Sequence, residues 1–405
     1  MLKLWNPRAL LSLAAVGAMT FACQPQEENP IPSTESVEFI GYAHGEIIPG
    51  KYIVRLNPSQ INFRKTQDYA ANTASMRKIS EDLLSKYRID AGNIEHVYGS
   101  SIEGFSATLS QDQYQSLLGD PSVQYIEQDR VVMLAPPPGK GKGGNNGGSN
   151  PQEIPWGITR VGGGSYSGSN KAYIIDSGID SSHPDLNVSA NLGYNAFTKG
   201  RDSDITSDGN GHGTHVAGTV GAIDNEIGVI GVAPGVTLVP IKVLDSRGSG
   251  SYSGVIAGVN FVADNASPGD VANMSLGGPT SASLDAAVVA LAQSGVKVAL
   301  AAGNESQNAN NSSPARVEYS GVYTVSAIDS DDNFAYFSNY GNPPIEYAAP
   351  GVNILSTVPG GYASYNGTSM ASPHVAGLLL LGTIHSDGQV NSGDPDGQPD
   401  VIAHH

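Results

Sequence analysis

Asn366-Gly367-Thr368-Ser369-Met370-Ala371-Ser372-Pro373-His374-Val375-Ala376-Gly377 begins as a glycine-bearing loop and runs into an apolar segment, Leu378 to Leu381. The spacing of small and apolar residues predicts a helix, with Ser369 at its start and Pro373 in the first turn, where proline is tolerated. Read alone, the stretch describes a capped, buried helix as well as a catalytic one. A serine at that junction also meets the unpaired N–H groups of a helix N-terminus, which can stabilise a developing oxyanion. A serine nucleophile needs a base and a group that orients the base, so the rest of the chain must supply both.

Ala172-Tyr173-Ile174-Ile175 is an apolar run of strand length that ends at Asp176-Ser177-Gly178. A carboxylate at the carboxyl end of a buried strand lies where open α/β sheets build their sites, although it also suits an Asp capping the next turn. Further on, Asp208-Gly209-Asn210-Gly211-His212-Gly213-Thr214-His215-Val216-Ala217-Gly218 sets a histidine among glycines ahead of a small-residue helix. Glycines there let backbone and substrate approach closely. His212 with His215 resembles half a zinc site, yet no third Cys, His or carboxylate follows at helical spacing.

Taken together, Asp176, His212 and Ser369, in that order, with DSG, HGTH and GTSMASPH around them, resemble the subtilisin-like serine proteases. Met274-Ser275-Leu276-Gly277-Gly278 and Ala301-Ala302-Gly303-Asn304 point to the proteinase K branch. The order Asp, His, Ser is one of several convergent orders of this triad. The resemblance spans nearly all of residues 151–381. It implies an α/β fold with a doubly wound, mainly parallel sheet. His212 would take the Ser369 proton and return it to the leaving amine, and Asp176 would hold the imidazole tautomer. Asn304 matches the family's oxyanion-hole asparagine. Gly248-Ser249-Gly250, ahead of Tyr252, and Ser275-Leu276-Gly277 match the two edges that clamp an extended peptide. The primary pocket, walled by Ala301, Ala302 and Gly303, has no charge in the matching motifs, which implies apolar or aromatic residues before the cut. No cofactor is implied for catalysis. Structural calcium is, at carbonyls near Ser320 and Val322 with Glu346 where relatives have Asp. Val216 stands where some relatives carry a cysteine.

The chain has 405 residues, 50 of them glycine and only 15% charged, which suits a loop-rich α/β enzyme of two domains. Its net charge of −17 argues against nucleic acid and anionic membranes as partners. The acid concentrates in residues 151–405, with 8 Lys+Arg against 23 Asp+Glu, net −15. One cysteine, Cys23, precludes an internal disulfide of the kind relatives carry. Two positive charges in Met1 to Arg8 and the apolar run Ala9 to Ala22 read as a signal peptide, too short to span a membrane. Thr20-Phe21-Ala22-Cys23 resembles a loose lipoprotein box, so a lipid anchor and ordinary cleavage both stay open. Either places the protein outside the cell or on its surface.

Residues 24–48 read as a polar tether. From Gly50 the pattern runs strand, helix (Thr66 to Tyr87), strand, strand, helix (Ser110 to Leu118), strand, which is ferredoxin-like α+β. GKYIVRL, GFSATLS and VQYIEQD in this segment, residues 49–134, resemble the inhibitory propeptide of subtilisin-like proteases. Residues 135–150 are a Pro/Gly/Lys/Asn linker. The peptidase domain, 151–405, alternates strands and helices up to Leu381, and then an acidic tail, Asp394 to Asp400, is expected to fray. The expected partners are peptide substrates and the chain's own propeptide, in a monomer. The reading is a secreted, autoprocessed endopeptidase of broad specificity. Its alternatives are a narrow-specificity processing protease, a silent scaffold, or a metal hydrolase using His212 and His215. Presentation of Val131-Val132-Met133-Leu134 as a substrate implies a first cut between Leu134 and Ala135, with Leu134 in the primary pocket and Val131 in the apolar position four residues before the cut.

Overall fold

The computed structural model describes Phe39, residues 41–134 and residues 151–405. The signal peptide, the lipoprotein box, most of the tether and the linker lie outside these residues.

Residues 47–133 build a sheet in the order Ile94–Tyr98, Gly104–Thr108, Ile47–Leu56, Val123–Met133. Alternation along Ile47–Leu56 sends Val54 and Leu56 to a core with Phe105, Met76, Leu84 and Leu117, the last three from the helices Tyr69–Lys86 and Gln111–Leu118. Both helices start on side-chain caps. Asp68 accepts from Ala71 N–H, and Ser110 and Gln113 form a reciprocal capping box. The first strand begins at Ile47, and Phe39 is only 7% exposed, so residues 41–48 are part of the fold and not a tether.

The second domain is built on a nine-stranded sheet in the order His385–Gln389, Val401–His404, Ile345–Pro350, Val322–Ile328, Lys297–Ala301, Val271–Met274, Lys171–Asp176, Thr237–Lys242, Tyr194–Asn195. Every pairing is parallel except the first, which is antiparallel. Period-2 alternation sorts the central strand between two cores. Ala172 and Ile174 pack under the helices His212–Gly221 and Thr368–Leu381. Tyr173 and Ile175 pack under Tyr252–Asn265 and Ala282–Gln293. Each fully buried aliphatic chain in these layers contributes roughly 1.5–3 kcal/mol.

The tail is not frayed. Val401–His404 joins the main sheet beside Ile345–Pro350, and His385–Gln389 pairs with it. Two features hold it there. Ile402 and Val390 enter a core with Ile328, Phe334 and Ala348, and the buried Asp400 accepts from Ser326 Oγ and Asn342 Nδ2.

Candidate active site

Asp176 ends the central strand and is fully buried. Both its oxygens meet His212 Nδ1, at 2.8 and 2.9 Å, and Ser177 N–H donates to it at 2.7 Å. His212 opens a helix whose N-cap, Gly211, sits at φ 95, a conformation that favours glycine. The free N–H groups of that helix are met by Asp208, which accepts from Gly211 N–H at 2.8 Å, Thr214 N–H at 2.9 Å and Thr214 Oγ at 2.7 Å. Ser177 Oγ joins the network, accepting from Gly213 N–H and donating to Asp208. Burial would depress the His212 pKa, but the neighbouring Asp176 carboxylate, with help from Asp208, leaves it raised. Sequence reasoning gave Asp208 no role, because its five hydrogen bonds, the fifth from Asn210 N–H, converge only in the folded loop.

Ser369 is the second residue of the helix Thr368–Leu381. Its hydroxyl donates to the Ser275 carbonyl at 3.2 Å, and among the described residues no hydrogen bond joins it to His212. Catalytic hydrogen bonds often tighten only when substrate is bound. Beneath it, Ser372 Oγ donates to Asn273 Oδ1, Asn273 Nδ2 to Ser275 Oγ, and Ser275 Oγ to the Ser369 carbonyl. Asn304 Oδ1 accepts from Thr368 N–H at 2.9 Å and from Thr368 Oγ at 3.1 Å, which leaves Nδ2 as the amide's donor side.

His215, the other half of the zinc-like pair, is fully buried elsewhere. Its Nε2 meets the Ile354 and Ala363 carbonyls at 2.9 and 3.1 Å, and its ring stacks on Tyr365 at 4.3 Å.

A cleft of about 480 Å³ opens beside Ser369, lined by Ser275, Leu276, Gly277, Ala301, Ala302, Gly303 and Asn304. Glu305 lines it too, so the cleft is not free of charge, although its Oε2 is held by Asn339 Nδ2 at 2.7 Å. Gly248, Ser249, Gly250 and Tyr252 form the opposite flank, and the strand Val123–Met133 of the first domain lies along it. Val131, Val132 and Met133 pair antiparallel with Ser251, Gly250 and Ser249, and Leu134 N–H donates to Gly248 O at 2.9 Å.

The register differs by one residue from the sequence expectation. Val132, not Val131, is buried in the cluster holding Leu244, Tyr252, Ile256 and Leu276. Val131 turns to Phe39 and Ile48. Leu134 lines the cleft with Ala301, Ala302, Gly303 and Ser369, and it also sits against Gly248, where an added Cβ would lie 3.1 Å from Leu134 Cδ1 and 3.0 Å from Asn210 Nδ2. Because a strand alternates faces, the one-residue shift exchanges every side chain.

Two acids of the first domain reach the second, and neither was legible in the sequence as a contact. Asp129 accepts from Ser253 N–H and Oγ, and Glu127 from Ser283 N–H and Oγ, so that one acid meets the first turn of Tyr252–Asn265 and the other that of Ala282–Gln293.

Of the implied calcium ligands, Glu346 is half-buried on the strand Ile345–Pro350. Glu346 Oε2 accepts from Thr324 N–H at 2.6 Å, and burial, with Glu318 nearby, pushes its pKa up to about 7. Asp185 is another carboxylate whose oxygens already accept hydrogen bonds, and burial raises its pKa as well. It is fully buried, with Asn225 Nδ2 and Val229 N–H as donors, and Gln152 spans the carbonyls of Ile223 and Val229 beside it.

The Subtilase family model of S8 peptidases matches residues 172–383, and the Peptidase inhibitor I9 model matches 51–135. Subtilisin E of Bacillus subtilis (strain 168) is 43% identical over 291 residues, covering 69% of this chain and 70% of its own. Proteinase R of Parengyodontium album is 38% identical over 370 residues, covering 87% and 82%. A solved structure, that of a cold adapted subtilisin-like serine proteinase, is 38% identical with a TM-score of 0.53, covering 62% of this chain and 97% of its own.

Proposed function

The chain belongs to the subtilase family of serine endopeptidases, with an I9-type propeptide ahead of the peptidase domain, and from that premise we propose a secreted or cell-surface, broad-specificity enzyme made as a latent precursor. Ser369 is the nucleophile, His212 its base, Asp176 the orienter and Asn304 an oxyanion donor. The observations that carry this are the hydrogen-bonded Asp176–His212 pair and a cleft lined by Ser369, Asn304 and the chain's own Met133 and Leu134.

In the forward step, Ser369 Oγ attacks the peptide carbonyl while His212 Nε2 takes its proton. Asp176 on Nδ1 stabilises the imidazolium, and Asn304 Nδ2 with a backbone N–H receives the oxyanion. Return of the proton to the leaving amine completes acylation, and water reverses the sequence. The Ala301–Gly303 wall suits apolar and aromatic residues before the cut, and Glu305 at the rim leaves room for an occasional base. Calcium, if bound, supplies stability rather than chemistry, with the carbonyls near Ser320 and Val322 and the Glu346 carboxylate as its candidate ligands. The enzyme acts as a monomer on protein substrates and not on nucleic acid.

The test is Ser369→Ala in the full chain, with casein as substrate. Hydrolysis and self-processing are expected to vanish together, since one hydroxyl serves both. A mutant that matures unaided, in a host without other proteases, removes Ser369 from the role.

A further inference from the structure

The strand Val131–Met133 is flanked on both sides, but the enzyme supplies only one flank. Ser249–Ser251 pairs with it, whereas among the described residues Ser275–Gly277 makes no backbone hydrogen bond to it. The other flank is residues 43–46. Gly45 N–H donates to the Val131 carbonyl at 2.8 Å, Val131 N–H to the Glu46 carbonyl at 2.9 Å, and Met133 N–H to His44 Nδ1 at 3.0 Å. Arg130 Nη1 fixes the Gly45 carbonyl at 2.8 Å, and the Glu46 carboxylate holds Ala43 N–H at 2.8 Å. The segment is also seated on the enzyme. A Cβ on Gly45, whose φ is +76, would lie 2.5 Å from Pro279 Cγ, and one on Gly278 would lie 3.0 Å from His44 Cε1.

We infer that residues 41–46 are an inhibitory arm that docks on Gly278–Pro279 and completes the sheet around Val131–Met133, with His44 Nδ1 accepting where the enzyme's second edge would otherwise offer a carbonyl. The inhibitory strand is therefore clamped between enzyme and arm, not between two enzyme edges. Loosening the arm frees the strand while the four-stranded propeptide core stays folded, because that core is built from other residues. The inference rests on the latent-precursor reading above. His44 is a positioning residue, since it touches the strand and not the reacting atoms.

The test uses the full-length chain carrying Ser369→Ala, which keeps it uncut, and follows amide hydrogen exchange at Val131 and Met133. His44→Ala is expected to speed Met133 exchange about tenfold, the usual effect of removing one acceptor. His44→Gln, whose side-chain oxygen can accept, should restore protection. In the chain with Ser369 intact, Gly45→Ala is expected to shorten the lag before casein hydrolysis several-fold. Equal exchange in the Gln and Ala variants, or an unchanged lag with Gly45→Ala in a chain that melts like the parent, overturns the arm. A parent precursor that shows no lag at all overturns the latent-precursor reading instead.

Discussion

At the residue scale, the site depends on side chains whose orientations are set by others. Asn304 can point its Nδ2 toward an oxyanion because Thr368 occupies Oδ1 through both its N–H and its hydroxyl. Asn304→Ala is therefore expected to lower kcat by about a hundred- to a thousand-fold with KM little changed, as for a donor acting mainly in the transition state. An unchanged kcat in steady-state assays on a peptide anilide removes it from the oxyanion hole. Asp176, His212, Asn304 and Ser369 were legible because each sits inside a short, distinctive string of residues. Asp208 was not, although it orders the whole loop before His212, since a carboxylate that accepts five hydrogen bonds looks in sequence like any other Asp in a turn.

At the element scale, strand register and helix capping decide how the precursor is held. Burial lifts the Asp129 pKa to about 6 from the ordinary 3.8, against the opposing hydrogen bonds from Ser253 and Arg130. A raised carboxyl binds its proton more tightly in the docked precursor than when released. Its contribution to stability is thus full below about pH 4 and is lost as the pH rises through 6. Asp129→Asn should flatten the pH dependence of the precursor's melting temperature between pH 4 and 7, measured with Ser369→Ala present. A slope identical to the parent's shows that Asp129 is not a titrating contact.

Register carries the second prediction at this scale. With Val132 in the apolar pocket, counting four residues back from the cut moves the bond from Leu134–Ala135 to Ala135–Pro136. Proline lacks an N–H and its tertiary amide is a poor site for attack. The first new N-terminus is therefore expected within the linker, at Gly139 or beyond. N-terminal analysis of a brief, dilute maturation that finds Ala135 would restore the original register. The strand itself was legible from its apolar run, but Val131 and Val132 are chemically identical. Only the placement of Phe39 and Ile48 against one and Tyr252 against the other separates them.

At the scale of the whole molecule, the alternating strands and helices made the doubly wound sheet legible, because its central strands, such as Lys171–Asp176, Thr237–Lys242 and Val271–Met274, are buried on both faces and read as largely apolar runs. The acidic tail misled for the converse reason. Asp394 to Asp400 looks solvated by composition, yet Asp400 is buried against Ser326 and Asn342, and burial raises its pKa to about 7. A peptidase domain of net charge −15 with no disulfide has a use for bound cations. Removing calcium is expected to lower the melting temperature of the mature enzyme before it affects turnover, since a ligand of the native state alone stabilises by mass action. Superimposed melting curves in calcium and in chelator would defeat the idea.

The claim on which the rest depends is that Ser369 becomes a reactive nucleophile when the propeptide leaves the cleft. It is tested most directly by treating the chain with a fluorophosphonate before and after maturation and locating the adduct by peptide mass analysis. The account predicts slow labelling of the precursor, then stoichiometric phosphonylation of Ser369 in the matured enzyme, with casein hydrolysis lost in proportion. A matured enzyme that hydrolyses casein at full rate while Ser369 stays unmodified, or with the adduct on another residue, would contradict it.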